Sequence, residues 1–219
     1  MSRRLIAPAS ENQLNYVEAI RNKTLIFCLG RAGTGKSLLA INEALNMIKE
    51  QKTKINKLIY VRPIIRERHI EDEIGFLPGS RDEKIADMYG GLRHNLDFIL
   101  GPKEATTLFE KGIVESTVLS HMRGSSYSNC FIVLDEATLL HFNSGAMKLF
   151  LTRIGKNSKV VVLGDKRQSP LSETDMDMIQ AMDLLQDLKD VACVTLDDFV
   201  DVQRSELVRE ILKAYETEA

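Results

Sequence analysis

Residues 30–37 read GRAGTGKS, a glycine, four residues and then Gly-Lys-Ser, and no other stretch restricts the fold of this chain as tightly. It is flanked by a β-branched and aromatic run, TLIFCLG (24–30), and an apolar-periodic run, SLLAINEALNMI (37–48), so strand, loop and helix follow one another directly. Gly30, Gly33 and Gly35 admit backbone conformations closed to residues with a Cβ, which lets successive N–H groups converge on phosphate oxygens at the positive end of a helix. Arg31, Ala32, Thr34 and Leu38 complete the backbone around that anion. Lys36 supplies a point charge suited to β- and γ-phosphates, and Ser37 a hydroxyl suited to magnesium. The spacing predicts a site for a nucleoside triphosphate, and the rest of the chain must say how its energy is used.

Six strand-like runs recur with helical stretches between them: TLIFCLG (24–30), KLIYVRP (57–63), VESTVLS (114–120), FIVLDEA (131–137), KVVVLGD (159–165) and ACVTLDD (192–198). They read as continuous apolar stretches, the pattern of strands covered on both faces. This predicts an α/β fold with a mostly parallel, doubly wound sheet, whose ligands bind beyond the carboxyl ends of the strands. The chain has 219 residues, 44% of them hydrophobic, without repeats or linkers, which suits one domain. It divides into a leading helix (1–22), a core (23–170) and an acidic strand and helix (171–219). That last part carries 13 acidic and 4 basic residues, so a net charge of −2 conceals +7 on residues 1–170. No segment reaches the roughly 20 apolar residues of a membrane span, and the basic start lacks a signal peptide's apolar stretch, which predicts a soluble, cytoplasmic protein with no membrane partner. Cys28, Cys130 and Cys193 lie in or beside strand-like runs and are predicted to be buried, reduced thiols. The four histidines have no metal-ligand spacing.

FIVLDEA sets Asp135 and Glu136 directly after four buried-strand residues. An acid there can support the magnesium shell while its neighbour orients and deprotonates an attacking water. That pairing favours hydrolysis over transfer to an organic acceptor. In VVVLGDKRQSPL (160–171), Gln168 stands three residues beyond Asp165, where an amide can bond the γ-phosphate and the water together.

The order GRAGTGKS (30–37), VRP (61–63), GFLPGSRDEK (75–84), MRG (122–124), FIVLDEA (131–137), FLTRIG (150–155) and VVVLGDKRQ (160–168) resembles the PhoH-like ATPases over nearly the whole chain. The resemblance implies a RecA-like fold related to the first motor domain of superfamily-one helicases, with ATP and Mg2+ as ligands. Some members carry a PIN-type nuclease domain linked to RNA work; with some 23 residues before the first core strand, this sequence is expected to lack one. Gln13, in SENQLNYVEAI (10–20), is similar to a helicase glutamine that reads adenine, although Ser10-x-x-Gln13 is also a capping box that would open a helix. The chain departs from the family pattern at Arg31, where proline is usual, and at Thr138, where glutamine commonly couples hydrolysis to neighbouring segments.

Resemblance to the matching helicase segment implies that Arg62, Arg66 and Arg68 contact single-stranded RNA or DNA, and Arg123 with Tyr127 offers a second backbone and stacking contact. Two-domain helicases take a transition-state arginine from their second motor domain, and this chain has one such domain. Arg204, by its family match, is the candidate within the subunit. Arg153, near the end of the helix after Asp135-Glu136, is the candidate from a neighbour in a ring, with a hexamer expected. The leading expectation is an ATPase coupled to a single strand. The alternatives are a phosphotransferase on a small acceptor and a regulatory module that only binds ATP.

Overall fold

Six strands carry the fold in the computed structural model, which describes residues 3–50, 53–63 and 90–217. After α1 (Glu11–Asn22) the chain runs through β1 (Leu25–Gly30), the glycine-rich loop, α2 (Lys36–Glu50) and β2 (Lys57–Arg62). Then come α3 (Gly90–Leu100), α4 (Pro102–Glu110), β3 (Val114–Val118) and β4 (Cys130–Leu134). The described chain closes with α5 (Ala146–Leu151), β5 (Lys159–Gly164), α6 (Asp177–Leu185), β6 (Val191–Leu196) and α7 (Glu206–Thr217). Each of the six apolar runs forms a strand, and every pairing is parallel, in the order β3-β2-β4-β5-β1-β6.

Alternation along the central strands feeds two cores, which is what double winding requires. Ile26, Cys28, Tyr60, Phe131, Val133, Val161 and Leu163 face one side, packed with α1, α2, α3 and α4. Phe27, Ile59, Ile132, Leu134, Val160 and Val162 face the other, packed with Met147 and Phe150 of α5 and Met178 of α6. Phe27, Phe131 and Phe150 are almost wholly buried, each stabilising the fold by roughly 1.5–3 kcal/mol relative to exposure.

Two strands break the continuous apolar pattern. β3 exposes Glu115 and Ser116, and β6 exposes Cys193 and Thr195. Both lie at the edges of the sheet, where part of a face is left to solvent. This corrects one expectation: Cys28 and Cys130 are buried, but Cys193 is exposed. Burial pushes the Cys28 thiol up to about 12, which keeps it protonated and unreactive.

For the site, the decisive feature is that β5 stands between β1 and β4. Cα partners Leu29 and Gly164, and Leu134 and Val162, keep the ends of these strands nearly level. The loops leaving β1, β5 and β4 therefore stand side by side.

Candidate functional site

The first of these loops turns at two glycines. Gly33 and Gly35 have φ of +80° and +79°, which a side chain at either position would strain. Thr34 ties the turn by donating from its hydroxyl to the Arg31 carbonyl at 2.9 Å. The 15-residue α2 begins at Lys36 with no acidic residue of its own in its first turn, which leaves its first backbone N–H groups free of a carboxylate from within the helix. Lys36 Nζ donates to the carbonyls of Gly30 at 2.7 Å and Arg31 at 2.8 Å, lying along the loop.

Beside it, Ser37 Oγ donates to Asp135 Oδ2 at 2.8 Å. Those two oxygens, 98 residues apart in sequence, form the hard-oxygen pair that a magnesium ion would take. Tyr60, buried on β2, donates its phenol to the same Asp135 oxygen. Burial, and next the Asp135 charge, hold that phenol far above its ordinary pKa, so it remains a donor. Asp135 Oδ1 accepts from the Glu136 amide at 2.9 Å.

Glu136 has φ 59° and ψ 36°, a left-handed conformation that costs a non-glycine residue about 1–3 kcal/mol and recurs at functional sites. Its carboxylate forms an ion pair with Arg62 at the end of β2. Burial alone would lower the Arg62 guanidinium, but the hydrogen bond and charge of Glu136 outweigh it and raise it. From β5, Asp165 and Gln168 close the third wall. A cleft of about 300 Å³ gathers Lys36, Ser37, Asp135, Glu136 and Gln168, with Ala32, Gly33, Thr138 and Leu139 also lining it. The structure thus brings together the five residues that sequence assigned to phosphate, metal, water and γ-phosphate sensing.

Gln13 is buried, and Ser10 does cap α1 by accepting from the Gln13 amide. The Gln13 side chain donates to the carbonyls of Thr34 at 3.0 Å and Asp201 at 3.3 Å, and accepts from Ala9 N at 2.7 Å. It therefore touches the phosphate loop itself. Leu38 sits in the first turn of α2. Arg31 donates from Nε to the Asp197 carbonyl at 2.6 Å and lies 4.1 Å over the Phe199 ring. Arg204 packs across the loop so closely that a Cβ on Gly33 would lie 2.7 Å from its Cγ, and Gln203 N donates to the Gly33 carbonyl at 3.0 Å.

Other candidates lie elsewhere. Tyr127 N donates to Arg153 O at 2.9 Å just before β4 and β5 begin, at the amino ends of the strands and opposite the phosphate loop. The Nε of Arg153 is buried and meets no acceptor among the described residues. Arg123 is exposed between β3 and β4. Arg66, Arg68 and GFLPGSRDEK lie outside the described residues. Sequence reasoning missed Tyr60 and the partnership of Arg62 with Glu136. The one available signal was a polar phenol on an otherwise apolar buried strand.

A family model described as PhoH-like protein matches residues 5–216 of this chain. A PhoH-like protein of Mycobacterium bovis is 38% identical over 211 residues, which are 96% of this chain and 58% of that protein. One from Bacillus subtilis (strain 168) is 34% identical over 205 residues, 93% of this chain and 62% of that protein. The chain spans about three fifths of the length of these relatives. Among solved structures, the large terminase from a thermophilic bacteriophage superposes with a TM-score of 0.58 at 13% identity, over 94% of this chain and 50% of that one, a likeness of fold. With the parallel strand order, these findings define a RecA-like phosphate-loop fold.

Proposed function

This chain belongs to the PhoH-like protein family, and from that premise we propose that it hydrolyses ATP to ADP and inorganic phosphate, coupled to single-stranded RNA or DNA. One observation carries the hydrolytic part: Ser37 and Asp135 share a hydrogen bond while Glu136, the next residue, stands in the same cleft as Gln168. In this reading the loop amides and Lys36 bind the triphosphate. A magnesium ion held by Ser37 and Asp135 would neutralise charge on the phosphate oxygens. Glu136 accepts a proton from water as its oxygen bonds to the γ-phosphorus and the bond to the ADP oxygen breaks. Gln168 orients that water and registers whether the γ-phosphate is present. Gln13, through Thr34, links the leading helix to the loop on the adenine side.

The polymer part rests on Arg62, which stands at the carboxyl end of β2 and pairs with Glu136, so a strand contact there would reach the water-activating carboxylate directly. We expect single-stranded RNA or DNA to raise turnover, and the stimulation to fade with added salt. If Arg62, Arg66, Arg68 and Arg123 each meet one phosphate, the log–log salt slope of binding should be about −3, from roughly −0.7 per contact. Turnover indifferent to every polymer at low salt would remove the coupling.

We place the transition-state arginine at Arg204 within the subunit, or at Arg153 from a neighbour in a ring, with a hexamer proposed. Contact of Arg204 with Gly33 supports the first arrangement. The position of Arg153 at the far end of the sheet, away from its own subunit's phosphate loop, is compatible with the second. Mixing Lys36→Ala with Arg153→Ala subunits should restore part of the ATPase activity if the arginine acts in trans; a fully active monomer would rule that out.

A further inference from the structure

The surroundings of Thr138 give it a task that the sequence does not announce. It is 2% exposed, in the short turn that follows Asp135-Glu136. Its hydroxyl donates to the Asp165 carbonyl at 3.1 Å and accepts from the Asp165 amide at 3.3 Å, so one side chain occupies both backbone groups of one residue. Its own carbonyl accepts from Ser169 Oγ at 2.7 Å. Its methyl leaves no space above the preceding residue: a Cβ on Gly164 would lie 2.5 Å from Thr138 Cγ2.

These contacts fasten the Asp-Glu turn to both ends of the segment 165–169. Within that segment, Asp165 accepts the Arg167 amide at 3.0 Å on its side chain and the Gln168 amide at 3.3 Å on its carbonyl. Gln168 is exposed and lines the cleft. Its distance from Glu136 is therefore set through Asp165, Ser169 and Thr138.

We propose that Thr138 is a positioning residue that locks the Gln168 segment to the Asp135-Glu136 turn, so that water activation and γ-phosphate sensing move as one body. A glutamine would have to make this link with a longer, more flexible side chain; threonine makes it with one buried hydroxyl and little rotamer freedom. The inference rests on the hydrolytic reading for its kinetic consequence, and on the geometry alone for its mechanical one.

The test uses Thr138→Val, which keeps the shape and removes the hydroxyl, Thr138→Ser, which restores it, and Gln168→Ala alone and combined with Thr138→Val. We expect Thr138→Val to lower kcat roughly 10-fold with KM for ATP within about 3-fold, and to cost less than about 2-fold further in the Gln168→Ala background, as coupled neighbours do. Thr138→Ser should lie within about 3-fold of the parent, a rescue that lost packing would not give. Backbone amide exchange across 165–169 should speed up in Thr138→Val and not in Thr138→Ser, with the strands unchanged. An undiminished kcat, or an equal loss with and without Gln168, overturns the proposal. So does exchange that rises across the whole sheet. If the parent releases no phosphate, the hydrolytic reading fails by itself, and exchange at 165–169 still decides: equal protection in parent and Thr138→Val overturns the lock.

Discussion

Lys36→Ala is expected to lower ATP turnover by about 10³-fold and to weaken nucleotide binding, with the fold retained. The ammonium donates to the carbonyls of Gly30 and Arg31, so it lies along the wall that a triphosphate would occupy. The cleft gathers Asp135, Glu136 and Asp165 within one wall system, and Lys36 is the cation that lines it among the described residues. Removing that charge leaves a polyanion facing carboxylates, which explains why both binding and turnover should suffer. Fold retention follows because the loop keeps its other ties, from Gln13 to Thr34, Gln203 to Gly33 and Thr34 to Arg31. Equilibrium binding of a fluorescent ATP analogue and thermal unfolding separate the two. Unaltered binding, or a collapse of the transition, would contradict the role given to Lys36.

Glu136→Gln should do the opposite for binding. Glutamine is nearly isosteric and can keep a hydrogen bond to Arg62, so ATP affinity should stay within a few-fold. Turnover should fall roughly 10²-fold or more, the usual weight of a positioned base. The left-handed backbone at this position adds nothing to the change, because glutamine bears the same conformational cost as glutamate; the loss is that of a partly exposed ion pair with Arg62, about 1 kcal/mol or less. Single-turnover phosphate release measured beside ATP binding would show the split. Parental turnover in Glu136→Gln would remove Glu136 from the chemistry and leave the strained turn unexplained.

Local chemistry was the part most legible in the sequence. Gly33 and Gly35 have the positive φ that the motif implies, and the buried runs form parallel strands because a strand covered on both faces has no polar alternation to show. Strand order is different in kind. Nothing in FIVLDEA or VVVLGDKRQ states that β5 lies between β1 and β4, yet that order sets Gln168 beside both Lys36 and Glu136. Contacts across the chain were hidden for the same reason: Tyr60 reads as an ordinary core aromatic, and its bond to Asp135 spans 75 residues. Arg62 was assigned to a polymer through resemblance, whereas its partner among the described residues is the very carboxylate that the hydrolytic reading depends on. Thr138 appeared in sequence only as a departure from a pattern. Its burial and its two bonds to Asp165 give that departure a physical meaning.

The most direct test is the fate of the γ-phosphoryl group. Purified protein is incubated with magnesium and γ-labelled ATP in buffer alone, without polymer or organic acceptor, and labelled phosphate and ADP are followed together. The expected result is inorganic phosphate and ADP in equal amounts, lost with Lys36→Ala and slowed with Glu136→Gln. ATP that binds and stays intact, or label that leaves only when an organic acceptor is supplied, would contradict hydrolysis as the work of this cleft.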